Sequence, residues 1–264
     1  MTTGICKLHR KPAVLKLSHF LPAGAYRLLV PDESDVRQPI LMTNQVAMLT
    51  SLQMRDYVLC ADCEKRFDQG GEDYAISQMK GSRGFPLLER LRVSPSVDFT
   101  LQEGVYAGKQ LGIDTRKLSY FALSVAWRSA VHTWPSIRGH VPDSVDLGTF
   151  QEPIRQFLLG EAPFPERLTV LTTACTDEYS QHAMYAPTKM IGSPTPGISY
   201  LACGIHFMIL MGETHPPGIK ELCSYKSERG YVFSRDAGAK TVHAYAQLHS
   251  TARMKGLLAR SCAA

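Results

Sequence analysis

The sequence predicts an α+β protein made of a small N-terminal module and a larger α+β domain, and three features of the chain predict it. The first 80 residues hold short apolar stretches between polar punctuation, with three of the seven cysteines. Residues 81–113 carry Gly81, Gly84, Pro86, Pro95, Gly104, Gly108 and Gly112, a density of turn formers that reads as a connector holding one or two short elements. Beyond it, helical periodicity gives way to β-branched and aromatic runs. The resulting boundaries are 1–80, 81–114 and 115–264. With 264 residues, 44% of them hydrophobic, the chain can bury an ordinary core, which excludes disordered, collagen-like and low-complexity classes.

In the module, residues 14–22 read as a short strand stopped by Pro22, which cannot extend a ladder. Residues 57–60 read as a second strand, with a helix opening near Glu64. In the larger domain, Leu118, Phe121, Ala122, Val125, Ala126 and Ser129 recur at spacings of three and four, so a helix runs from Asp114 until Trp134-Pro135 ends it. Thr149 and Glu152 have capping-box spacing ahead of Ile154, Phe157 and Leu158, and Gly160 is a natural stop for that second helix. Residues 168–174, 198–211 and 230–233 are expected to be strands, and 239–259 a C-terminal helix.

The net charge of +5 is small, but it is unevenly spread. Residues 1–31 carry Lys7, Arg10, Lys11, Lys16 and Arg27 with no acid, and after Asp236 come Lys240, Arg253, Lys255 and Arg260, again with no acid. Such ends attract a polyanion, because each neutralised phosphate releases counterions, and they serve equally as solvated termini. The first residues lack the apolar stretch of a targeting signal, and the longest apolar run, about 14 residues from 198 to 211, falls short of the roughly 20 that span a bilayer. A cytoplasmic protein with no membrane partner is expected.

Cys60-Ala61-Asp62-Cys63 is a C-x2-C pair at a strand-to-helix junction, where a tight turn aims two thiolates at one point. A redox pair and two buried thiols are the competing readings. Cys6-Lys7-Leu8-His9 adds C-x2-H spacing, and three cysteines with one histidine form a closed tetrahedral set for structural zinc. Cys6, His9, Cys60 and Cys63 are therefore the expected ligands, in two halves roughly fifty residues apart. Cys175, Cys203, Cys223 and Cys262 lack paired spacing and read as core or surface thiols.

Three segments together resemble one family: Ser18-His19-Phe20-Leu21-Pro22, then Leu59-Cys60-Ala61-Asp62-Cys63-Glu64, then a helix from Phe121 to Trp127-Arg128. The combination is similar to the HNH group of His-Me-finger proteins, closest to bacterial HNH-like zinc proteins; the HNH-type motif covers residues 6–75 or so, and the rest matches by the short segment 121–128. The resemblance implies a treble-clef or ββα-metal module hydrolysing phosphodiester bonds of DNA, with RNA as second choice. It implies His19 as general base, with a catalytic magnesium or manganese held by Glu64 on the helix and by Asp56. Ser18 stands where the family pattern usually has an acid or a second histidine, and Arg55-Asp56 where it has an asparagine. An inactive zinc-stabilised module, docking to nucleic acid, to a partner protein or to a second copy, is thus the alternative. For Glu64, Asp68 and Glu72 a solvated acidic face competes with a metal role, and Arg128 is expected to pair with Asp143, Asp146 or Glu152. Residues 115–264 are left with substrate selection or partner docking.

Overall fold

The computed structural model describes residues 2–29, 39–42, 46–50, 52–97, 104–135, 145–190, 192–193, 195–213, 215, 218–238 and 253–255. Its N-terminal part is a three-stranded antiparallel sheet of β1 (Thr3–Ile5), β2 (Pro12–His19) and β5 (Arg55–Cys60), in the order β1-β2-β5. The register shifts between Lys16 and Leu17, where β5 carries one extra residue. A bulge of this kind re-aims the side chains that follow it. It explains why Val58, Leu59 and Cys60 of β5 are buried in succession where a regular strand would alternate. Pro22 flanks α1 (Ala23–Leu28).

Helix α2 (Ala61–Phe67) leaves β5 directly, and it runs through a π turn (Asp68–Glu72) into α3 (Asp73–Gln78). The connector holds α4 (Pro86–Arg92) and β6 (Gly104–Ala107). Helix α5 (Thr115–Val131) starts where Asp114 caps it, its carboxylate accepting from the Lys117 amide. The second helix, α6 (Gln151–Leu159), does stop at Gly160, whose φ of 74° is the left-handed conformation glycine tolerates. Its start differs from the expected capping box. A short 3-10 turn (Gly148–Phe150) leads in, and Glu152 binds Arg155 and Arg10 instead.

Beyond α6 lies a six-stranded sheet ordered β6-β11-β7-β10-β9-β8, from β7 (Leu168–Cys175), β8 (Met184–Lys189), β9 (Gly197–Ala202), β10 (Ile205–Met211) and β11 (Tyr231–Arg235). All pairings are antiparallel except β11 with β7. The apolar run 198–211 is a hairpin, correcting the expectation of one strand: Cys203 and Gly204, with φ of 43° and 87°, make a two-residue turn. β3 (Ile40–Met42) and β4 (Val46–Leu49) form a small sheet with β12 (Arg253–Met254). Of the expected helix 239–259, residues 239–252 and 256–259 lie outside the described residues, and Arg253–Met254 are strand instead. Among the described residues no helix is long and apolar enough to cross a membrane.

Helix α5 is the centre of the molecule. It is buried nearly all round, as a helix packed on two sides must be. Phe121 meets Tyr200 and Phe207 of the large sheet, with ring centroids 6.3 and 5.5 Å away, while Trp127 meets Phe67 at the end of α2. Gly70 and Gly71 permit the close approach of the π turn. A Cβ at Gly71 would stand 2.4 Å from the Lys117 carbonyl oxygen. One apolar core therefore runs from Leu59 and Phe67, through Leu87, Leu91 and Leu118, to Ile154 and Phe207.

Candidate metal centre and the histidine beside it

The β1–β2 connection is a tight turn in which the Arg10 amide donates to the Cys6 carbonyl at 2.8 Å and Arg10 takes a left-handed φ of 59°. That turn carries Cys6 and His9. β5 delivers Cys60 at its last residue, and the first turn of α2 delivers Cys63. The four ligand atoms all lie within 4.8 Å of one another. Metal bonds of ~2.0–2.3 Å in a tetrahedron separate donors by about 3.3–3.8 Å, so this set fits a zinc-sized ion with small adjustment. His9 Nε2 is 3.2 Å from Cys60 Sγ, and the Cys60 amide donates to Cys6 Sγ at 3.4 Å. A hydrogen bond from the Cys63 thiol, with the amides of His9, Cys60 and Leu8, holds Cys6 down to about 4 against burial, and the same contact drives Cys63 up. The expected ligands thus come together, and the three cysteines are buried with His9 at the rim.

The turn is anchored from outside the module. Arg155 of α6 donates to the Leu8 carbonyl at 2.7 Å, and Glu152 bridges Arg155 and Arg10. The Arg155 hydrogen bond holds the Glu152 carboxyl down to about 2.

His19 is the last residue of β2, half-buried, opposite Arg55. Burial lowers its pKa, with Arg55 and Arg128 acting in the same direction and Gln53 and Glu64 opposing. Its neighbour Ser18 donates to Glu64 Oε1 and accepts from the Leu59 amide at 3.1 Å, tying the first turn of α2 to the end of β2. Asp56 is otherwise engaged. Its Oδ2 is 2.8 Å from His132 Nε2, and its Oδ1 accepts from the Tyr57 amide at 2.7 Å. Burial raises the Asp56 pKa, but the His132 and Tyr57 hydrogen bonds outweigh it and the net shift is downward. Among the described residues, the group of three or more His, Cys, Asp or Glu side chains close enough to share an ion is the cysteine–histidine set, so His19, Glu64 and Asp56 form no second one.

The acidic residues after Glu64 differ from one another. Asp68 is exposed, and its pKa is raised, first by partial desolvation and then by Asp73 and Glu64. Glu72 is buried and forms an ion pair with Arg128, in place of the solvated face expected for it. Burial pushes Glu72 up to about 7 against the attraction of Arg128. This pairing replaces the one expected between Arg128 and Asp146 or Glu152; Asp143 lies outside the described residues, as does Cys262. Sequence reasoning missed Glu72 and His132 as partners. The π turn that swings Glu72 inward has no sequence signal beyond Gly70-Gly71, and His132 follows the helix with no motif around it. The chain matches no family model, no curated protein and no solved structure.

Proposed function

We propose that the chain is a metal-dependent phosphodiesterase of the ββα-metal type acting on DNA, with structural zinc on Cys6, His9, Cys60 and Cys63 and His19 as general base. The observation that carries this reading is the link between the metal centre and the histidine. Glu64 directly follows the ligand Cys63, and it accepts a hydrogen bond from Ser18, whose neighbour is His19. A strand end bearing an imidazole is thereby fixed against the first turn of the helix that the zinc set anchors.

The depressed pKa of His19 keeps its imidazole neutral at physiological pH, the form able to take a proton from water. On this reading Glu64 would hold a magnesium or manganese ion, which when bound would offset charge building on the phosphate oxygens. Asp56, with both oxygens engaged, braces the strand and does not share that ion. The basic residues Lys7, Arg10, Lys11 and Lys16 around the module supply attraction for the polyanion.

The second reading, a zinc-built module that binds nucleic acid without cutting it, is favoured by one observation: Glu64 already has a partner in Ser18. Plasmid cleavage separates the two. Wild-type protein with magnesium or manganese is expected to nick supercoiled DNA, and His19→Ala to abolish nicking with one zinc per chain retained by elemental analysis. A wild-type protein that leaves DNA and RNA uncut with either ion, while still shifting them on a gel, establishes the second reading instead.

A further inference from the structure

We propose that the C-terminal end of α5 is a clamp that positions His19, with Arg128 as its main positioning residue; the inference rests on the nuclease reading of that histidine. β2 ends at His19, and just beyond it the Phe20 amide donates to the Met54 carbonyl at 2.9 Å. Arg128 adds a hold on the His19 carbonyl itself. Its Nη1 donates to the His19 carbonyl at 3.1 Å, although the two residues are 109 positions apart. Its Nη2 is paired with Glu72, and its guanidinium lies 5.3 Å from the centre of the Phe67 ring.

Two neighbours on the same helix end complete the grip. Trp134 donates through Nε1 to the Arg128 carbonyl at 3.1 Å and packs edge-on against Phe20, the residue after His19, at 5.3 Å. His132 stacks edge-on against Trp134 and holds Asp56 of β5, which pairs across the ladder with Ser18. Residues on both sides of His19, and the strand beside it, are therefore gripped by one helix end.

A buried guanidinium is costly, and a pair of apolar residues of similar volume would fill the same space at no loss of stability. What the guanidinium adds is a rigid fork: two donors at a fixed angle that tie a carbonyl to a carboxylate. Glu72 cancels the charge, and the π turn delivers Glu72 to the inside. The carbonyl of His19 and the π turn that continues α2, the helix bearing Glu64, are thereby locked in one frame. Misplacing a reacting group by about 1 Å costs on the order of 100-fold in rate, so such a lock is a rate device. In this arrangement the larger domain builds the site and does not merely choose its substrate.

Arg128→Lys keeps a cation opposite Glu72 but has no fork. In steady-state plasmid cleavage by the full chain, it is expected to lower kcat at least tenfold with KM within twofold of wild type and zinc content unchanged. Arg128→Met is expected to lose about 100-fold. Should Arg128→Met fail to fold with Glu72 stranded, the lysine variant carries the test. The position of the ring is read independently by the His19 Cε1–H resonance in carbon–proton NMR, assigned by its loss in His19→Ala. One sharp signal is expected in wild type, and a shifted or exchange-broadened one in Arg128→Lys. An unchanged signal or a kcat within twofold overturns the clamp. If the wild-type protein cuts nothing, the nuclease reading falls, and the clamp stands or falls on the resonance alone.

Discussion

A half-buried imidazole beside two arginines titrates low, and this fixes the pH behaviour of His19. On the proposed nuclease reading, the acid limb of the cleavage profile is expected below the 6.5 of a free imidazole, read from kcat/KM between about pH 5 and pH 8. A limb above that value contradicts the burial of His19. The sign for stability follows from the same shift. The folded protein binds fewer protons at His19 than the unfolded chain does, so His19 subtracts stability as pH falls through 6.5 toward its lower folded value. Single residues were legible in the sequence where chemistry dictates spacing. Cys6, His9, Cys60 and Cys63 could be picked out because a tetrahedral ion needs paired donors on tight turns. Arg128 could be noticed beside Trp127, but its partner could not be found, since Glu72 is brought to it by packing and not by proximity along the chain.

At the level of elements, the tightest fit is the π turn against α5. Gly71→Ala is expected to destabilise the protein by about 2–3 kcal/mol, because the added methyl meets a main-chain carbonyl that cannot rotate away. The shift is measurable as a lower urea midpoint with unchanged slope, and a midpoint equal to wild type means that α5 can yield. Helices α5 and α6 were readable because Asp114 and Gly160 mark their ends and apolar periodicity fills them. Periodicity under-reported α5, however. A helix covered on two sides buries Ser119, Ser124 and Ser129, each bonded to a carbonyl of its own helix, so its polar residues do not mark a solvent face. The hairpin of β9 and β10 was illegible for a related reason. Both strands are so largely buried that no polar break separates them, and Cys203-Gly204 is not among the strong turn signals.

Across the whole molecule, the metal turn and the larger domain are mechanically joined by Arg155 and the Leu8 carbonyl. With the Cys6, His9, Cys60 and Cys63 set holding zinc as proposed, stripping the metal with a chelator is expected to raise amide hydrogen exchange in residues 151–159 as well as in residues 6–10, while β7 and β10 stay protected. Mass spectrometry of the exchanged peptides checks this, and a change confined to residues 6–10 and 60–63 refutes the coupling. The α+β class and the elements β2, β5, α2, α5, α6, β7 and β11 followed from local pattern. The joining of the parts did not, because Arg155 to Leu8, Arg128 to Glu72 and Phe121 to Phe207 are contacts between segments that only folding brings together. The shared core has a practical result for anyone handling the gene. Expressing the first eighty codons alone would leave Phe67 without its tryptophan and Glu72 without its arginine, a greasy surface around a stranded acid. Such a polypeptide should collect in inclusion bodies, and only the uncut reading frame should yield material fit for the bench.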